Sequence, residues 1–162
     1  MKKILIVLAI VLAISSCSDF FNYTYEPPAN VEMPVIDDPY DTFKWVFKNM
    51  VPALDNQYID YWQAPHESVL LKTGDCEDPV ILSMYYFDKF DGYKTYMVLA
   101  IIKKSGTGHA LLEINSDKGT EWYTFVDYRG TLYALPIDVN DPKYEIVERM
   151  TWDNIQIRFR YR

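Results

Sequence analysis

The hydrophobic positions change period partway along the chain. Phe43, Val46, Phe47 and Met50 recur at intervals of three and four, which marks one face of a helix. Asp38 can cap that helix, Pro39 suits its first position, and Pro52 ends it. A short helix is predicted from Pro65, with Gly74 as its terminator. A third is predicted from about Cys76 to Phe90. Cys76, Val80, Ser83, Met84 and Phe87 share one of its faces, and Ile81, Leu82, Tyr85 and Tyr86 fill most of the rest, so burial on several sides is expected. With Asp75 as cap, Pro79 would lie one position beyond the turn that tolerates proline. A later start or an irregular first turn is therefore expected. After Gly92 the pattern turns to strands at residues 95–102, 108–114 and 121–127, with a further strand and turn over 128–135. Ile155, Ile157, Phe159 and Tyr161 alternate with polar residues and predict a half-buried final strand. Helices followed by antiparallel strands argue for an α+β fold.

The first sixteen residues are set apart from this pattern. Lys2 and Lys3 precede an apolar run over 4–14 that is too short to span a bilayer as a helix. Ile14-Ser15-Ser16-Cys17 resembles the lipobox of bacterial lipoproteins, which implies cleavage before Cys17 and lipidation of its thiol. The expected organisation is a signal peptide over 1–16, a lipidated cysteine and extended proline-containing tether over 17–38, and one domain over 39–162. The chain would then be exported and held at the bacterial cell envelope by its lipid. Lipidation leaves Cys76 without a partner for a disulfide, because the chain has two cysteines. The formal net charge of −7 gives no indication of a basic nucleic-acid surface and disfavours attraction to anionic lipid.

The unpaired thiol lies in Gly74-Asp75-Cys76-Glu77-Asp78, at the start of the buried helix. Free backbone N–H groups and the positive end of the helix dipole favour thiolate there, while the three flanking carboxylates oppose it. A base is needed, and the chain has two histidines. His66 falls in the first turn of a short exposed helix. If residues 117–119 form a three-residue hairpin loop, His109 and Asp127 stand directly opposite each other on neighbouring strands. That pairing would hold the imidazole in one tautomer and, with Cys76 in reach, supply nucleophile, base and orienting acid. A four-residue loop would shift the pairing by one, and His109 would lose this partner. A buried histidine bonded to a strand aspartate for packing is the alternative.

Tyr61-Trp62-x-x-Pro65-x-Glu67, Gly74–Asp78, Gly108-His109-Ala110 and Val126-Asp127 together resemble the bacterial transglutaminase-like cysteine peptidases, over roughly residues 40–130. The resemblance implies a papain-like core, with the cysteine helix packed on an antiparallel sheet that carries His109 and Asp127. It implies hydrolysis of amide bonds in a peptide or protein substrate, or acyl transfer by the same residues. Cys76 would be nucleophile, His109 base and Asp127 its orienter, with Gln63 or Trp62 completing the oxyanion hole. No cofactor is required for this chemistry. Some exported members bind calcium, for which Asp75, Glu77 and Asp78 are candidates, although helix capping is the commoner use of such acids. A Cys-His-Asp zinc site fits the residue types less well. Pro79 stands where the family usually has an aromatic residue, and little chain follows Asp127. Both departures favour the alternative, a non-catalytic binding module on the same fold.

Overall fold

A computed structural model describes residues 24–53 and 61–160. The stretch expected to be a signal peptide, and Cys17, lie outside the described residues. The described residues fall into two compact units, one within 27–152 and a second made of 24–26 with 153–160.

The larger unit is an α+β assembly. Helices α1 (Asp41–Asn49), α2 (Pro65–Leu71) and α3 (Glu77–Phe87) precede the main strands, β3 (Lys94–Ile102), β4 (Thr107–Ser116), β5 (Gly119–Asp127), β6 (Leu132–Ile137) and β7 (Tyr144–Thr151). These form one antiparallel sheet in the order β6-β5-β4-β3-β7. Two short parallel strands, β1 (Val51–Pro52) and β2 (Thr73–Gly74), tie the end of α1 to the approach to α3.

Helix α3 is buried along all eleven residues, as its all-round apolar sequence requires. It begins at Glu77 with Cys76 as N-cap, so Pro79 falls in the first turn, where a missing N–H costs nothing. Its partner face of the sheet carries Met97, Leu112, Ile114 and Phe125. Phe43 of α1 bridges the layers, with its ring 5.7 Å from that of Phe125 and 6.1 Å from that of Phe87. The opposite face holds Val98, Ala100, Leu111, Trp122 and Tyr144, covered by the partly buried side chains of Tyr96, Ile102 and Ile137.

Three expectations are corrected. Helix α2 ends at Leu71 because Lys72 takes the left-handed conformation, not because of Gly74. β7 replaces a stretch with no strand signal, since Glu145 to Arg149 are all exposed and do not alternate. The predicted final strand is a helix, α4 (Trp152–Gln156), and a 3₁₀ turn, Ile157–Phe159. Ile155 and Phe159 are buried four residues apart, so the same apolar residues satisfy a helical period; Tyr161 lies outside the described residues. In the smaller unit, the Tyr25 N–H donates to Gln156 Oε1 and the Tyr25 ring meets Phe159 edge-on.

Candidate active site

The turn carrying Cys76 is held from behind by Asp78, which is fully buried. Its Oδ1 accepts the Gln63 N–H at 2.8 Å and its Oδ2 the Asp75 N–H at 3.2 Å. One carboxylate therefore fixes the segment before α2 against the turn before α3. Gly74 leaves room for it: a Cβ there would stand 2.6 Å from Asp78 Oδ2. That is why glycine occupies this position.

Cys76 lies on the wall of a cavity of about 410 Å³, lined also by Trp62, Asp75, Glu77, Leu99, Ile101 and Val147, with Gly108, His109 and Ala110 along β4. Its Sγ accepts the Ala110 N–H at 3.4 Å and donates to Glu77 Oε2 at 3.3 Å. Burial pushes the thiol up to about 12, the Ala110 N–H opposes this, and the carboxylates of Glu77 and Asp75 add to the rise. The thiolate expected at neutral pH is therefore not the form this arrangement favours.

His109 is not placed to offset these causes. The β4–β5 turn closes at Ser116 and Gly119, a two-residue loop of Asp117 and Lys118, with Lys118 N–H donating to Ser116 Oγ. The pairing is thus shifted by one from the expected register. Leu111 faces Thr124, and continuing this register places Val126 opposite His109. Alternation then turns Asp127 to the other face. His109 Nε2 bonds Thr124 Oγ1 at 2.7 Å, and its ring stacks on Tyr144 at 6.0 Å. Asp127 is exposed, and its Oδ1 accepts the Gly130 N–H in the turn before β6. Burial, and then Lys143, lower the His109 pKa, which favours neutral imidazole.

The ring of His109 thus lies on the sheet face that carries Tyr144, whereas α3 and its N-cap Cys76 belong to the other. Residues 108–110 border the cavity, but no hydrogen bond joins Cys76 and His109. The directly opposed His109–Asp127 pair, and a zinc site built from Cys76, His109 and Asp127, are absent from this arrangement. Thr124 and Tyr144 are the partners that sequence reasoning missed. A two-residue loop would have pointed to Thr124; Tyr144 carried no signal.

Of the two oxyanion candidates, Trp62 lines the cavity, and Gln63 is buried with its Oε1 unpartnered. Ligand atoms of Asp75, Cys76 and Glu77 lie within 4.8 Å of one another. Asp75 Oδ1 and Glu77 Oε1 are buried without a donor from the protein. Burial and the adjacent Asp75 carboxyl push Glu77 up to about 9. Two such oxygens call for a shared proton or a cation, and oxygen donors suit a hard cation such as calcium. Asp78 has both oxygens engaged by backbone N–H groups and stands outside this group.

No family model matches the sequence, and no curated protein matches it. Solved structures do. The calcium-bound LapG of Legionella pneumophila is 16% identical, with a TM-score of 0.54 over 76% of this chain and 78% of that one. A second structure of Legionella pneumophila LapG is 15% identical, with a TM-score of 0.49 over 69% of this chain and 61% of that one. The first likeness agrees with the α+β architecture.

Proposed function

We propose that the chain is an exported, lipid-anchored cysteine hydrolase of the transglutaminase-like type, acting on amide bonds of a peptide or protein. The observation that carries this reading is Cys76 itself: a thiol at the N-cap of a buried helix, on a cavity wall, with the Ala110 N–H directed at its sulfur. Helix N-termini and N–H donors are the surroundings that activate cysteine. The fold likeness to calcium-bound LapG and the motif resemblance to transglutaminase-like cysteine peptidases at Gly74–Asp78 support it. The anchor is proposed from residues 14–17 alone.

In the proposed reaction the Cys76 sulfur attacks the substrate carbonyl, and Trp62, which lines the cavity, would donate its indole N–H to the oxyanion. The amine leaves with a proton, and water resolves the thioester. Asp75 and Glu77 would hold calcium. Bound there, the ion would offset the two charges that disfavour the thiolate. His109 would act as base in a second arrangement of residues 107–110, with the ring withdrawn from Tyr144 and Thr124. That segment lies beyond the paired stretch of β4 and β5, which begins at Leu111, and is held by β3 alone.

A second reading is favoured by one observation: His109 is engaged on the far face of the sheet. On that reading the cavity binds and does not cut. Labelling with an amide-derived acyl probe, with and without calcium, separates the two. The hydrolase should label at Cys76, label no Cys76→Ser protein, and label His109→Ala at least about tenfold more slowly. Absence of labelling in both metal states would leave the binding module.

A further inference from the structure

The cavity beside Cys76 has an apolar floor from β3 and the edge strand β7, and β7 carries acidic residues next to it. Leu99 and Ile101 of β3 line it, together with Val147 of β7. The β3–β7 register slips between Leu99 and Ala100, where Ile146 pairs with Ala100 and Glu148 with Leu99. Val147 is the extra residue. Such bulges re-aim a side chain, and here an exposed valine borders the cavity. The same register sets Glu148 opposite Leu99 and Glu145 opposite Ile101. Opposed residues share a face, so both glutamates stand on the sheet face of Leu99 and Ile101, next to the cavity lining.

Both glutamates are exposed, and neither is in an ion pair among the described residues. The nearby Arg149 does not neutralise them, because it is committed to Glu113 and Trp122 on the opposite face. At the inner wall, Glu77 is 5% exposed and its Oε1 lacks a partner. Charges on an edge strand also discourage unwanted pairing. That role does not require an exposed valine between them, turned toward a cavity with a thiol on its wall.

Resting on the reading that a polypeptide enters at Cys76, we infer that this cavity selects an extended peptide bearing an apolar side chain next to a lysine or arginine. The apolar group sits on Leu99, Ile101 and Val147, against Trp62. The cation lies between Glu145 and Glu148. An acidic segment is rejected by the same two carboxylates and by the overall negative charge.

Binding tests this without chemistry. Fluorescein-labelled peptides that differ only in a central Lys-Leu, Glu-Leu or Lys-Ser pair would be titrated by anisotropy against the full chain carrying Cys76→Ser. Lys-Leu should bind about threefold to tenfold more tightly than Glu-Leu at low salt, as expected for exposed ion pairs. The preference should vanish in the combined Glu145→Gln, Glu148→Gln variant. Val147→Ser should bring Lys-Leu down to Lys-Ser. Equal affinity for Lys-Leu and Glu-Leu, or a preference that survives the double substitution, overturns the inference and leaves Cys76 reactivity untouched. Failure of acyl-probe labelling with the peptide preference intact removes the hydrolase reading and leaves this one.

Discussion

The two faces of the sheet treat their reactive groups alike by different means. On the helix side, burial and two carboxylates hold Cys76 as a thiol. On the far side, burial and Lys143 hold His109 as a neutral imidazole. Neither becomes the ion that its partner would need. What separates them is parity: consecutive strand residues point to opposite faces, so Ala110 meets Cys76 through its backbone while its neighbour His109 turns away. Proximity in sequence to a site is thus a poor guide to membership in it on a strand.

Packing gives the largest contrast between the faces. Leu112→Ala, under the helices, should cost about 3–5 kcal/mol, and Leu111→Ala, in a cluster bordered by partly buried side chains, about 2–3 kcal/mol. Both leucines are fully buried, so a difference in urea unfolding reports how each face can relax. Equal losses would mean that the far face is as rigid as the helix face.

Reactivity comes next. Alkylation of Cys76 by iodoacetamide should be slow at pH 8 without calcium, and His109→Ala should leave it unchanged. Glu77→Gln should leave it slow at pH 8, where Glu77 still holds its proton, and should speed it only as pH passes about 9, where the native carboxylate is charged. If native protein instead reacts fast at pH 7 and His109→Ala slows it, residues 107–110 populate the turned arrangement in solution.

Glu77 also predicts a pH dependence of stability. Its folded pKa, about 9, lies above the ordinary 4.5, so the folded state holds this proton more tightly than the unfolded chain. The stabilisation is complete below about 4.5 and is lost as pH rises toward about 9. Chemical denaturation across this range should show a decline that Glu77→Gln flattens and that millimolar calcium offsets. A calcium-independent slope would argue against the cation site.

The smallest effect is expected at Asp127. Its replacement by Ala should change stability by less than about 1 kcal/mol and leave the His109 titration, followed by NMR, where it was. A shift in that titration would return Asp127 to the role the motif suggests.

Some of this was legible in the chain. Helix α3 was, because a run that is apolar on every side has few other places to go. So was the position of Cys76 at its start. The strands β3 to β5 were legible from apolar and β-branched runs. The site's assembly was not, because it hinged on whether the hairpin loop held two residues or three, and that difference turns every partner over. β7 was hidden because its exposed residues, charged or bulged, follow no period. The last strand was misread because Ile155 and Phe159 fit both periods.

Gly74 and Asp78 carry a consequence for how this sequence can change. Each constrains the other: a side chain at 74 collides with the carboxylate, and loss of the carboxylate frees two backbone N–H groups, at Gln63 and Asp75. A lineage that alters position 74 first must displace a buried acid. One that alters position 78 first has already loosened the turn that carries Cys76 before any new residue at 74 can help. No ordering of single substitutions passes through a fully tied intermediate, so the two positions are expected to be inherited as a block.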